Sequence, residues 1–290
     1  MNTRTLLWSN AIISLAAGAC VLTTLQLSGM SWPLRGTTAF AWGLSAATWC
    51  AYSWQRHIKS TRERGLRPQH RTWQQRHARR LRATALFLLP VASGPVWLTW
   101  TAGGGPWVTG QPGLWLLVLA AGGITALYAG LPGAGGRRRA LRRIPGLKML
   151  WIAGTWAVLS ALWPIWWNAL QQSLPLPASS WWLALERALV IAALTLPFDL
   201  RDRHWDSQEM RTWPQWLGTS GTRMLGLAFL VGAVAVRMVG LGQTAMACAA
   251  LLPMALAVGS AKEDREAGYF VLLDAALIAD AVWLSVGLPG

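Results

Sequence analysis

The chain has 290 residues, 53% of them hydrophobic and only 13% charged, with 21 tryptophans and a formal net charge of +15. A soluble domain of this length is about one quarter charged, so the composition excludes an ordinary soluble enzyme and points to a polytopic membrane protein. Cys20, Cys50 and Cys248 lie far apart in apolar segments, which excludes a disulfide framework and a CxxC metal site.

In chain order, apolar runs approaching the ~20 residues of a membrane-crossing helix fall near 5–28, 36–55, 82–101, 112–131, 148–169, 180–199, 222–240, 243–260 and 267–287. The expected fold is all-α: one transmembrane helical bundle of about nine helices covering 1–290. A basic cytoplasmic loop is expected at 56–82, and a second cytoplasmic loop, rich in aspartate, at 199–221. The first run exceeds the roughly 7–15 residues of a signal-peptide core. Ala17-Gly18-Ala19-Cys20 is also a poor lipoprotein box, so the run reads as a retained helix. A short amphipathic helix is expected around Thr72–Arg82, and Pro164, Pro197 and Pro253 mark expected kinks.

Charge alternates between loops. Counting Arg4, the 56–82 segment, the fourth loop, the sixth and the eighth, 23 of the 26 basic residues fall on one side of the bundle. Cytoplasmic loops carry the excess of Lys and Arg, so the N-terminus is expected in the cytoplasm of a bacterial cytoplasmic membrane and the C-terminus outside. The same pattern makes the basic loops topology signals and membrane-lipid contacts rather than a nucleic-acid surface. Trp151, Trp163, Trp166, Trp167, Trp181 and Trp182, with Trp97, Trp100, Trp107 and Trp115, crowd the outer span ends and read as an interfacial aromatic belt.

Familiar catalytic signatures are missing. GAGGRRRALRR follows no strand and lacks GK[ST], so it is not read as a P-loop. His57, His70, His77 and His204 form no close metal-ligand pair and read as loop histidines beside headgroups. No GxSxG elbow occurs.

The chemistry-bearing stretch is FDLRDRHWD at the end of the sixth run. On a helix turning about 100° per residue, Asp199, Asp202 and Asp206 fall within roughly 60° of one another. Such a stripe suits a hard divalent cation shared with phosphate oxygens. A solvated helix end explains the same charges, with Asp199 and Arg203 as a favourable i,i+4 pair. Glu186 and Arg187 are adjacent inside span six and so must find separate partners. Asp280 in span nine is close enough to the outer end for hydration, whereas Asp274 is deeper and receives no catalytic role.

FDLRDRHWDSQEMRTWPQWLG resembles the second aspartate-rich motif of the UbiA superfamily of intramembrane prenyltransferases. Asp202 and Asp206 supply its D-x-x-x-D, Asp199 precedes them, and Arg211-Thr212 and Leu217-Gly218 complete its trailing part. RRIPGLKMLWIAGTWAVLSALWP is similar to the family's fifth-helix entry, with Lys148 just before the span. The family's first motif, Asn-Asp-x-x-Asp-x-x-x-Asp, should fall at Tyr52–Lys59, where this chain reads YSWQRHIKS and carries no carboxylate. Gln55 and Lys59 stand where aspartates are expected, with Arg56 between them.

The resemblance implies transfer of an isoprenoid from a prenyl diphosphate to a lipid-soluble acceptor, or a degenerate relative of such an enzyme. It implies Mg²⁺ on Asp202 and Asp206 with Asp199 in support. Arg211, Lys148, Arg56, Lys59, Gln55 and Tyr52 are the implied substrate contacts. The alternative from another class is a non-catalytic membrane protein, a transporter or accessory subunit, that binds an anionic lipid.

Overall fold

The computed structural model describes residues 8–30, 34–60, 68–103, 112–130, 141–144, 146–204, 211–265 and 267–287. Nine helical units occur among these residues, and no strand does. They are α1 (Ala11–Ser28), α2 (Leu34–Ser60), α3 (Pro68–Ala102), α4 (Pro112–Leu127), α5 (Lys148–Gln171), α6 (Ser179–Asp202), α7 (Trp213–Gly240), α8 (Ala245–Gly259) and α9 (Ala267–Gly287). α1, α3, α5, α7 and α9 are long and apolar enough to cross a membrane. The chain is an all-α integral membrane protein.

Part of the expected 56–82 loop is helical. α2 runs on to Ser60, and α3 begins at Pro68, a favourable first-turn residue because its missing N–H has no partner to lose there. The amphipathic piece expected at Thr72–Arg82 is therefore the first part of a helix that continues through Pro90 to Ala102. The expected 199–221 loop is also narrower, since α6 includes Asp202 and α7 starts at Trp213.

Small residues let the helices approach closely, as in membrane bundles where apolar contact with lipid is no worse than contact with protein. A Cβ on Gly18 of α1 would lie 2.9 Å from the Ala41 carbonyl oxygen of α2. One on Gly226 of α7 would meet Val258 of α8 and Leu196 of α6. Two π-turns interrupt the ladder. Val158–Leu162 precedes Pro164, and there the Trp163 N–H donates to Val158 O, five residues back. The second, Val236–Gly240, ends α7.

One apolar core joins Val190, Leu194, Leu230, Met254 and Phe270. A second is aromatic: Phe40 packs edge-on against Trp163, and Trp115 edge-on against Trp166. This corrects the expected belt. Trp163, Trp166, Trp167 and Trp115 are buried, whereas Trp97, Trp100, Trp181 and Trp182 are exposed. Trp107 lies outside the described residues. Lipid and protein interior are both apolar, so sequence position did not separate the two groups.

A buried ionic layer joins the helices at the end away from the aspartates. Arg237 donates to Glu186 Oε1 at 2.9 Å, to Asp280 Oδ1 and Oδ2 at 3.0 and 2.7 Å, and to Ala247 O at 2.9 Å. The Arg187 guanidinium donates instead to Cys20 O and Thr24 Oγ1 of α1, and Thr24 in turn donates to Ser160 O in the π-turn of α5. Glu186 and Arg187 do take separate partners. Asp280 is not hydrated as expected, being 1% exposed and ion-paired.

Candidate functional site

α5 enters the bundle and α6 leaves it at the same end, which brings Lys148 at the start of one against Asp199 in the last turn of the other. Lys148 Nζ lies 2.7 Å from Asp199 Oδ1, with both side chains largely buried. The i,i+4 pair expected between Asp199 and Arg203 does not form. Arg203 reaches a different loop and donates to Glu263 Oε1 at 3.0 Å. Asp202 ends α6, and both its oxygens accept from Arg201, from Nε and Nη2, at 2.8 Å each. The helix stops there because Arg203 and His204 form a turn. Asp206 lies outside the described residues.

α2 supplies the opposing side. Residues 52, 56 and 59 fall within about 60° on a helix and 55 lies at the margin of that face. Arg56 sits over the Tyr52 ring at 5.9 Å and Lys59 over the Tyr128 ring at 5.4 Å. Gln55 is taken up elsewhere: it is buried and donates to Thr125 O of α4 at 3.0 Å. Arg56 Nη1 also donates to Trp8 O at 2.7 Å, and Gln74 of α3 donates to the same oxygen at 3.1 Å. His70 stacks on the Trp8 ring at 5.3 Å. The expectation of loop histidines is corrected, because His57, His70 and His77 are helical.

The two sides meet. The charged groups acting on His70 are Arg56, Arg201, Lys59 and Asp202, from α2 and α6. Asp199, Asp202 and Asp274 act on Arg201, whose guanidinium lies 4.4 Å from the Phe270 ring centroid on α9. The end of the bundle therefore gathers Arg56, Lys59, Lys148 and Arg201 around Asp199, Asp202 and Asp274. Arg211 is exposed, at a positive φ of 42°, just before α7.

Residues in the trailing RTWPQWLG take local roles. The Thr212 N–H donates to Gln215 Oε1 at 2.9 Å, a capping contact at the start of α7, and Pro214 occupies the first turn. Gly218 has a φ of 65° inside α7, a left-handed conformation that a side chain would strain.

Two residues that the sequence did not single out belong to this cluster, Arg201 and Glu263. Glu263, in the loop between α8 and α9, accepts from His204 Nε2 at 2.7 Å as well as from Arg203, tying down the turn that follows Asp202. The His204 bond, joined by Arg203, holds the Glu263 carboxyl below the usual carboxylate range. A carboxyl whose pKa falls on folding contributes stability above its unfolded value of about 4.3, and loses it as pH drops through the lower folded value. Thermal stability in detergent should therefore decline through that acid window, and Glu263→Gln should flatten the decline. Parallel pH profiles for parent and variant would rule the contact out as its cause.

Among the described residues, no three His, Cys, Asp or Glu side chains converge as a metal centre. The donor chemistry fits Mg²⁺ on one side. Asp202 and Asp199 present hard oxygens already held by cations of the chain, which a metal ion would have to displace. The α2 side, with Arg56 and Lys59, carries no such ligand.

No protein-family model matches the sequence, and no curated protein does. Solved structures do. A UbiA homologue from Aeropyrum pernix K1, in its apo form, superposes with a TM-score of 0.64 over 94% of this chain and 97% of its own, at 16% identity. The chain has the UbiA fold. A UbiA homologue from Archaeoglobus fulgidus bound to GPP and Mg²⁺ superposes with a TM-score of 0.53 over 97% and 98%, at 12% identity. A further structure of a UbiA homologue from Archaeoglobus fulgidus gives 0.51 over 99% and 98%, also at 12%. At these identities the likeness concerns the arrangement of the UbiA-like helices, not their side chains.

Proposed function

We propose that this UbiA-like protein binds a prenyl diphosphate at the aspartate end of the bundle and transfers the isoprenoid to a lipid-soluble acceptor. The observation that carries the reading is the convergence there of Arg56 and Lys59 from α2, Lys148 from α5, and Asp199, Arg201 and Asp202 from α6. A UbiA-fold structure bound to GPP and Mg²⁺ supports it.

Asp202 and Asp206 would hold Mg²⁺, with Asp199 beside them. When bound, the ion draws charge from the departing diphosphate and favours cleavage of the allylic C–O bond. Arg56, Lys59, Lys148 and Arg211 are the diphosphate contacts, since guanidinium and ammonium groups bond phosphate oxygens strongly. Fixed cations aimed at the leaving group stabilise charge as it develops, without reorganising. The apolar helix faces sheath the isoprenoid and exclude water from the cation formed on cleavage.

The proposed orientation puts this end in the cytoplasm, where the diphosphate is soluble. Reporter fusions after Gln172 should read as external, and those after Arg71 and Glu263 as cytoplasmic. Inverted signals would overturn the orientation.

The second reading, a non-catalytic anionic-lipid binder, draws on the absence of carboxylates from Tyr52 to Lys59. Calorimetry on the purified protein separates the two. Geranyl diphosphate should bind more tightly than a dioleoyl phosphatidylglycerol dispersion. The reverse order would favour the lipid binder.

A further inference from the structure

Glu263 has no part in the mechanism above, yet it holds both side chains that directly follow Asp202. Arg203 Nη1 donates to its Oε1 at 3.0 Å, and His204 Nε2 lies 2.7 Å from its Oε2. Thr219 of α7 donates to Oε1 as well, at 3.4 Å. The loop that carries Glu263 is itself pinned to α7, where Arg223 donates to Ala261 O at 2.6 Å. Arg203 is drawn there past a nearer acid. Its backbone keeps helical angles, φ −50° and ψ −41°, so it stands about 40° from Asp199 on the same helix face. That is the i,i+4 arrangement in which an acid and a following base pair. Local spacing favours Asp199 as the partner, and the fold supplies Glu263 from 60 residues away instead.

We propose that Glu263 is a positioning residue for the metal site: it draws Arg203 off the aspartate face and leaves Asp199, Asp202 and Asp206 with negative charge to offer a divalent cation. The inference rests on the reading that Mg²⁺ joins those aspartates to a diphosphate. Lys148 already lies on Asp199, and Arg201 on Asp202. A third cation from the same segment would leave the three aspartates with no net charge, whereas a hard divalent ion is held by carboxylate charge. An arginine does not shed its proton in a protein, so an opposing carboxylate has to come from elsewhere in the fold. Glu263 and Arg203 are both about one-third exposed, which keeps their pair outside the buried contact between Lys148 and Asp199.

A double variant separates a carboxylate that diverts a charge from one that merely braces the turn. Removing Arg203 together with Glu263 leaves the brace just as broken, but it takes away the cation that would otherwise turn to Asp199. Calorimetry of geranyl diphosphate on full-length protein in nanodiscs gives the ratio of affinities with Mg²⁺ and with a chelator. Glu263→Gln should lower that ratio roughly fivefold or more, the order expected of one added charge in a partly screened site. Arg203→Gln, and Glu263→Gln combined with Arg203→Gln, should both stay within about twofold of the parent. Asp264→Asn, the neighbouring carboxylate of the same loop, should also leave the ratio unchanged. A parental ratio in Glu263→Gln, or a loss that persists in the double variant, overturns the positioning role alone. If Glu263→Gln does not fold, Arg203→Gln and the double variant carry the test, since they differ only at Glu263. Equal ratios then support the role, and a lower ratio in the double variant overturns it. A parent that binds equally in both buffers takes the Mg²⁺ reading and the inference down together.

Discussion

Arg237→Met should be the most damaging single substitution in the chain. Arg237 is fully buried and bonds two carboxylates, Glu186 and Asp280, which are equally buried. Removing it leaves two negative charges in a fully buried site. Breaking a buried ion pair from one side costs about 3–5 kcal/mol because a charge is left uncompensated. The same bonds tie α7 to α6, α8 and α9, so packing of the end away from the aspartates should fail with them. The expected result is poor accumulation, or a large fall in thermal unfolding temperature in detergent. The decisive comparison is the triple variant Arg237→Met, Glu186→Gln, Asp280→Asn, which removes charge from both sides and should recover much of the loss. Arg80→Met, on the exposed side of α3, should change stability by less than about 0.5 kcal/mol. A parental unfolding temperature in Arg237→Met, or no recovery in the triple variant, would refute the account.

The second large effect is on binding. If Asp202 takes part in holding Mg²⁺ beside the diphosphate, Asp202→Asn should weaken geranyl diphosphate binding roughly tenfold to a hundredfold in Mg²⁺ buffer. That corresponds to the loss of one charge-assisted contact, about 1.5–3 kcal/mol. The neutral amide retains the shape but cannot balance the ion. With a chelator present the effect should vanish or reverse, because Arg201, now bonded to Asp202 through both oxygens, is released towards the anion. An equal loss in both buffers would mean that Asp202 acts through Arg201 alone. Unchanged affinity in Mg²⁺ buffer would take the residue out of the site. Stability should be little affected, since Asp202 is partly exposed at the helix end.

Much of the architecture was readable because membrane solvation acts on long stretches. A span must be apolar over its whole length and its backbone must bond within itself. Nine runs in the sequence accordingly became nine helical units among the described residues. Their boundaries were less legible near the basic segments. Arg and Lys stop a hydropathy signal but not a helix, so α3 starts well before its apolar part. The resemblance of FDLRDRHWD to a known motif led to the aspartate end of α6. It gave no indication that Asp199 would pair with Lys148, Asp202 with Arg201, and Arg203 with Glu263, because each of those choices depends on which helix stands alongside.

The sequence by itself determined that the chain is a helical membrane bundle, and it named the Asp-rich stretch and the basic face at Arg56 and Lys59. These are properties of composition, period and local spacing, which the chain carries whatever its neighbours are. Only the tertiary structure decided which tryptophans are core and which are exposed, and why Glu186 and Asp280 can be buried. Burial and charge pairing depend on contacts between helices far apart in sequence. In an apolar solvent every helix face looks alike until a partner covers it, and a charge is tolerable only where another helix delivers its opposite.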